Sequence, residues 1–423
     1  MRQVPGSAAR FFLPALVLAV LAVVAPGVWG EDVGSFRFAY KHAAGDRYRI
    51  LSTVHEEGYV NRKLSLRSEI LNRIAVEVVE ARGGTGRHRA VFQTAERALR
   101  TEPAVRSDGY AEGQSYQWER EYESEFQRDA RGYITIDRRF YMPVVRNVPV
   151  FPDRDIKVGD SWSAEGHEMH DFRDSFGISE PYRIPFTANY TFLGEQEWKG
   201  RPYPAFSVSY RIFSEPNPVA GRIWPRRILG ASDQRVFWDF ALGQAVAYTE
   251  TFRMIFELSD GRTVEYCGTA EAEIVESPRM DKEQAVRDIN RDIADLGIAD
   301  ASARIVDEGI TISLENVQFQ AESAVLLPEE RAKLAKISEI LRRYPNRDIL
   351  VGGHTALAGT EAGRMQLSQD RAASVAEYLI AGKVRGPERM VVRGYGAEKP
   401  LGDNRTEAGR RRNRRVEITI LEN

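Results

Sequence analysis

Two imidazoles stand three residues apart in His167-Glu168-Met169-His170, a spacing at which both could turn to one side of a helix and share a metal ion. Zinc needs at least one further protein ligand, and the polar run holding these two reads as a solvated loop, so no metal site is expected. Glu119, Glu121, Glu123 and Glu125 put four carboxylates on one face of an alternating run. That is more simply a wetted strand face than a glycosidase pair. The run Arg410-Arg411-Arg412-x-Arg414-Arg415 has the composition of a phosphate-gripping patch. With 59 Lys+Arg against 61 Asp+Glu, however, the chain has a formal net charge of -2 and no basic arm, so nucleic acid is not an expected partner. No Gly-x-Ser-x-Gly elbow, Gly-Lys-Ser/Thr loop or His-Glu-x-x-His motif occurs, and six scattered histidines leave little for acid-base work. Neither a catalytic residue nor a cofactor is expected.

The elements that would hold these residues fall into distinct stretches. At 423 residues and 43% hydrophobic composition, the chain exceeds what one core usually covers, and more than one domain is expected. Arg2 and Arg10 precede an apolar run from Phe11 to Ala25, shorter than the roughly 20 residues of a membrane span. Small residues at Val28 and Gly30, the third-last and last positions before Glu31, then read as a cleavage site, making 1–30 a signal peptide and the protein exported. No cysteine near that point offers a lipid anchor, and the single Cys267 can form no internal disulfide; it is expected to be a small buried residue.

From 31 to 277 the pattern is period-two alternation, the mark of antiparallel strands. Tyr116, Trp118, Tyr122 and Phe126 form an aromatic face that could meet an envelope protein or a lipid. Phe36, Phe38 and Tyr40 read as another strand. A break near 151–181 would divide this region into two lobes. Asp281 to Leu296 changes to helical spacing, giving a linker helix within 278–300. Strand and helix then alternate: strand at 310–314, helix at 328–344, strand at 349–353, helix at 361–381, and strands at 390–394 and 416–421.

Within 301–423, Gly353-His354-Thr355, Gly359, Leu367-Ser368-x-x-Arg371-Ala372, Val375 and Tyr378-Leu379 fall at one characteristic spacing. Gly394-Tyr395-Gly396, Pro400, Asn404, Gly409-Arg410 and Asn413-Arg414-Arg415-Val416-Glu417 form a second block, and Phe319 with Ser323-Ala324-x-Leu326 an opening one. Together these blocks resemble the OmpA-like C-terminal domain family.

The resemblance implies a mixed sheet backed by helices and a pocket that grips the diamino acid of the peptidoglycan stem peptide without covalent chemistry. Such a zwitterionic end asks for an anion against its amine and a bidentate cation against its carboxylate. In the family the anion is an Asp directly after Gly-His-Thr, and the cation is the Arg of Leu-Ser-x-x-Arg-Ala. Here Arg371 stands at the cation, but Ala356 replaces the Asp and Arg364 replaces a usual Asn, turning a balanced pocket positive. Glu361, five residues on, is the carboxylate that could stand in. By this resemblance the ligand-binding set is Thr355, Ala356, Arg364, Leu367, Ser368, Arg371, Asn413 and Arg415.

The whole reads as a multidomain protein: an antiparallel all-β N-terminal region, then an α+β OmpA-like domain. The expected function is that of a non-enzymatic envelope protein in the periplasm or outer membrane of a diderm bacterium, whose OmpA-like domain binds or once bound peptidoglycan. The alternative is a protein-interaction scaffold in which that domain has lost its ligand.

Overall fold

The computed structural model describes residues 34–99, 115–276, 280–315, 317, 319 and 324–422. The expected signal peptide and Ser323 lie outside these residues. The chain forms two compact units, one made of 34–94 and 121–276, the other of the remaining described residues.

The strands through the first unit are β1 (Arg47–Val60), β2 (Lys63–Arg82), β3 (Thr85–Ala98), β4 (Tyr116–Arg128), β5 (Ile134–Ile136), β6 (Val145–Arg146), β7 (Ser161–His170), β8 (Tyr182–Trp198), β9 (Arg201–Ser214), β10 (Pro225–Asp239), β11 (Gln244–Leu258) and β12 (Thr263–Glu276), with one short helix, α1 (Arg173–Phe176). Antiparallel pairing runs β6-β7-β8-β9-β10-β11-β12-β1-β2. Tight turns set the register: Asn61-Arg62 and Lys199-Gly200 all take positive φ, the conformation that matches a two-residue turn to the strand twist.

Alternation decides which face is buried. In β8, Ile184, Phe186, Ala188, Tyr190 and Phe192 enter the core while Arg183, Pro185, Thr187 and Asn189 face outward. The core is aromatic, with Phe151 and Trp238 meeting edge to face at 4.8 Å, a geometry favoured by the ring quadrupoles.

Four expectations change here. Phe36, Phe38 and Tyr40 lie on an irregular segment held by a single bridge from Phe36 to Ile156; their rings enter the core without a paired strand. The polar stretch from 165 is not a loop, since all ten residues of β7 pair with β8, and the unit is not divided there. Its charges are buried because they satisfy one another: His170 Nε2 lies 2.7 Å from Glu168, which also accepts from the Tyr210 hydroxyl at 2.9 Å. The aromatic residues of β4 are not a free face: Tyr116 and Trp118, which belong to the second unit, and Phe126, in the first, are at most 9% exposed. Cys267 is free but half-buried, and burial followed by Glu265 and Glu57 pushes its thiol pKa up.

The second unit contains α2 (Lys282–Asp295), β13 (Ala301–Val306), β14 (Gly309–Glu315), α3 (Pro328–Arg342), β15 (Ile349–Gly353), α4 (Glu361–Ala381), β16 (Met390–Gly394), α5 (Glu407–Asn413) and β17 (Arg415–Leu421). Its sheet order is β13-β14-β17-β15-β16, with only the last of these pairs parallel. The apolar residues Ile310, Ile312, Leu314, Ile349, Val351, Val416, Ile418 and Ile420 share a core with α2, α3 and α4. Ile289 of α2 is wholly buried in that core, so this helix is part of the unit rather than a free linker. The result is an all-β N-terminal region followed by a mixed sheet backed by helices.

Candidate functional site

The first half of α4 lies directly on sheet backbone. Gly353 and Gly394 are register partners, and a Cβ on Gly353 would fall 2.0 Å from the Ser368 carbonyl oxygen. A Cβ on Gly394 would meet the Ser368 hydroxyl at 2.7 Å. Fully buried Ser368 donates through Oγ to the Met365 carbonyl at 2.8 Å and accepts from the Gly396 N–H at 2.9 Å. The Thr355 N–H donates to the Gly396 carbonyl at 2.8 Å. Arg364 Cβ lies 3.7 Å from the position a Gly396 Cβ would take. Thr355, Arg364 and Ser368 are thereby gathered around Gly396, with Leu367 half-buried beside them.

This neighbourhood is polar, buried and short of anions. Thr355 Oγ1, Arg364 Nε and Arg371 Nε are all buried without a hydrogen-bond partner. Arg364 Nη1 donates to the Gly359 carbonyl at 2.6 Å. Ala356 is 7% exposed and brings no charge, while Glu361 is exposed. Arg371, one turn beyond Ser368, places its guanidinium carbon 4.9 Å from the Phe319 ring centre. Among the described residues it has no carboxylate partner; Asp370 instead accepts from Gln366 at 2.8 Å. Burial, and then the like charge of Arg414, lowers the Arg371 pKa.

Asn413 and Arg415 play other parts. Asn413 is 1% exposed, and its Oδ1 accepts from the N–H groups of Leu401 and Gly402 at 2.7 and 2.9 Å. Its Nδ2 donates to Gly402 and to Asn404 Oδ1, both at 2.9 Å. Asn404 Oδ1 also accepts from the Leu357 N–H at 3.0 Å, clipping the segment after Thr355 to the 401–404 loop. Asn413 therefore shapes the rim and has no amide group left to offer a ligand.

Arg415 lies on the opposite face of the sheet. Val416, Ile418 and Ile420 enter the core, whereas Arg415, Glu417 and Thr419 line a cavity of about 230 Å³ with Arg304, Tyr395 and Lys399. Arg415 and Arg304 each bond Glu417 at 2.8 Å. Burial opposes the Glu417 charge, but His354, Arg304 and Arg415 outweigh it and hold the carboxyl well below its usual range. The period-two parity of 415–420 was the sequence signal for this separation. Phe319 was visible as a motif residue, but its place against Arg371 was not.

The second unit thus presents a mixed sheet of β13, β14, β17, β15 and β16, with the start of β4 paired parallel to β16, backed by helices, and a cation-rich, carboxylate-poor cluster at the first turns of α4. The family model described as OmpA family matches residues 318–414, and this domain belongs to that family.

Over 103 residues the chain is 41% identical to outer membrane protein A of Bordetella avium, covering 24% of this chain and 53% of that protein. It is 36% identical over 105 residues to outer membrane porin F of Pseudomonas fluorescens, covering 25% of this chain and 32% of that one. A third relative, peptidoglycan-binding protein ArfA of Mycobacterium tuberculosis, is 35% identical over 104 residues, with 25% and 32% covered. The chain spans about a third to a half of the length of these curated relatives. Among the described residues no group of three or more His, Cys, Asp or Glu could hold a metal ion, and no helix is long and apolar enough to cross a membrane.

Proposed function

We propose that this chain is a non-enzymatic envelope protein whose C-terminal domain holds peptidoglycan non-covalently, with Arg371 gripping a carboxylate of the stem peptide. The observation that carries this reading is the Arg371 guanidinium, stacked on Phe319 and lacking a carboxylate partner among the described residues. A half-buried cation without a counter-ion loses part of its hydration without compensation and suits an anionic ligand. The names of the relatives support the reading: one is called peptidoglycan-binding and two are called outer-membrane proteins. With Ala356 in place of the family's Asp, the ligand amine has no fixed counter-charge and stays in water. The site would consist of Thr355, Ala356, Arg364, Leu367, Ser368 and Arg371, with Asn413 fixing its rim.

The polar outward residues of β8 would face water rather than lipid tails, which favours a periplasm-facing β module over a barrel embedded in the outer membrane. Ala356 supports a second reading, a scaffold whose OmpA-like domain has lost the wall. Co-sedimentation of the full chain with purified sacculi separates the two. Binding that Arg371→Ala abolishes and Ala356→Asp strengthens supports the wall site; absence of binding by the native chain, with folding intact, supports the scaffold.

A further inference from the structure

The first unit has a cavity of its own, of about 210 Å³, lined by none of the motif residues named above. Its interior side chains are Tyr40 and His88, 9% and 1% exposed. Half-buried His42 and Arg128 stand beside them, and Tyr48, Val78, Val246 and Ile274 contribute further wall. Lys41, Asp46, Arg47 and Leu242 are exposed and form the mouth.

The aromatic packing fixes the polar groups in place. Arg128 stacks on Tyr40 at 4.8 Å and on Phe126 at 5.6 Å. His88 stacks on Phe126 at 5.0 Å, and His42 meets His88 edge to face at 5.1 Å. Gly86 makes room for both imidazoles, since a Cβ there would lie 2.6 Å from the His42 ring and 2.9 Å from that of His88.

Three nitrogens on these side chains, His42 Nε2, His88 Nδ1 and Arg128 Nε, are buried without a hydrogen-bond partner. Each such group costs about 1–3 kcal/mol unless something bonds to it. The charges indicate what would bond. Arg47 is paired with Glu77 at 2.6 Å, and Asp46 stands at the mouth with Lys41. Asp129 acts on neighbouring His42, and among the described residues no carboxylate lies within ion-pair distance of Arg128. The imidazoles add no charge: burial, then Arg128, lowers the pKa of both, that of His88 to about 3. A single unpaired guanidinium matches a monoanion better than a phosphate dianion. At roughly 30 Å³ per water-sized group, the volume accommodates an acid of about seven to ten heavy atoms, and the apolar wall suits a hydrocarbon body.

We propose that this cavity is a binding site for a small organic monocarboxylate, its carboxylate held by Arg128, its apolar body against Val78, Val246 and Ile274, and the neutral rings of His42 and His88 closing the wall beside it. Nothing in this site depends on the cell-wall reading of the other unit.

The test is calorimetric titration of the full chain with benzoate, and in parallel with its neutral isostere benzamide and with inorganic phosphate. One benzoate per chain, little or no benzamide binding, and weaker phosphate binding are expected. Arg128→Gln should lower benzoate affinity at least tenfold, about 1.4 kcal/mol, and Arg128→Lys by less, because it keeps the charge and loses the fork. His42→Ala, at a half-buried position, should weaken binding as well and keeps the test open if the arginine variants fail to fold. Absence of benzoate binding to the folded native chain would overturn the site, showing that water alone fills it. Equal binding of benzamide, preference for phosphate, or affinity unchanged in folded Arg128→Gln or His42→Ala would overturn the carboxylate assignment.

Discussion

The guanidinium carbon of Arg371 lies 4.9 Å from the ring centre of Phe319, so a cation without a carboxylate partner is supported by an aromatic face. Stacking of this kind is worth on the order of 0.5–2 kcal/mol, less than a full counter-ion would supply to a half-buried charge. On the proposed wall reading the position serves a ligand rather than stability. Arg371→Met, which keeps the apolar stem and removes the charge, should leave unfolding free energy within about 0.5 kcal/mol of the parent or above it. The same variant should lose sacculus binding. Denaturant titration and co-sedimentation on one preparation check both halves, and a large drop in stability would contradict this account of the residue.

Helix α4 should not tolerate a side chain on the strand beneath it. In Gly353→Ala the new Cβ would start 2.0 Å from the Ser368 carbonyl oxygen, and the obstacle is backbone that cannot swing away. The expected loss is about 3 kcal/mol, at the upper end of overpacking costs, accompanied by weaker sacculus binding because Ser368 and Arg371 move together on α4. Chemical denaturation measures the first effect.

Asn413 should behave as a structural residue. Asn413→Ala leaves the N–H groups of Leu401 and Gly402 without the acceptor they share, a cost of roughly 2–4 kcal/mol. Amide exchange at Leu401, Gly402 and Leu357 should accelerate as the clip through Asn404 opens. Protection unchanged at those three positions would count against this role.

Glu250 should make the first unit sensitive to alkali. It is 2% exposed, and its Oε1 accepts from Gln234 at 2.7 Å and Ser232 at 3.2 Å. Burial dominates and raises its pKa from 4.5 to about 8. An acid whose folded pKa is raised contributes its full stability below the unfolded value and loses it as pH rises toward the folded one. Between pH 4.5 and about 8 the loss is roughly 1.4 kcal/mol per unit. Glu250→Gln keeps an acceptor and cannot ionise, so its Tm advantage over the parent should grow steadily from pH 5 to pH 8. A constant difference across that range would rule the mechanism out.

In the second unit, strands 349–353 and 390–394 and helix 361–381 were legible from periodicity alone, because their apolar spacing is set by the single core they face. β13 and α5 were not, since Ala301–Val306 is short and partly polar and Glu407–Asn413 is almost wholly charged and polar. The carboxylate deficit of the pocket was also written in the chain, as Ala356 beside a retained Arg371 and an added Arg364.

Other features needed the tertiary structure. The aromatic row of β4 could have been a surface or a core, and for its Tyr122 and Phe126 only packing on Val76, Phe92 and Met142 decided the matter. Glu168 and His170 looked solvated because a local polar run does not reveal a partner such as Tyr210, forty-two residues away in sequence. The same limit hid the cavity around Arg128, whose residues come from several separate stretches of chain. Residue type and spacing set which face of each element is apolar and which charges are available. Which buried charge is paired and which is left open depends on contacts between distant strands, which form only when the chain closes on itself.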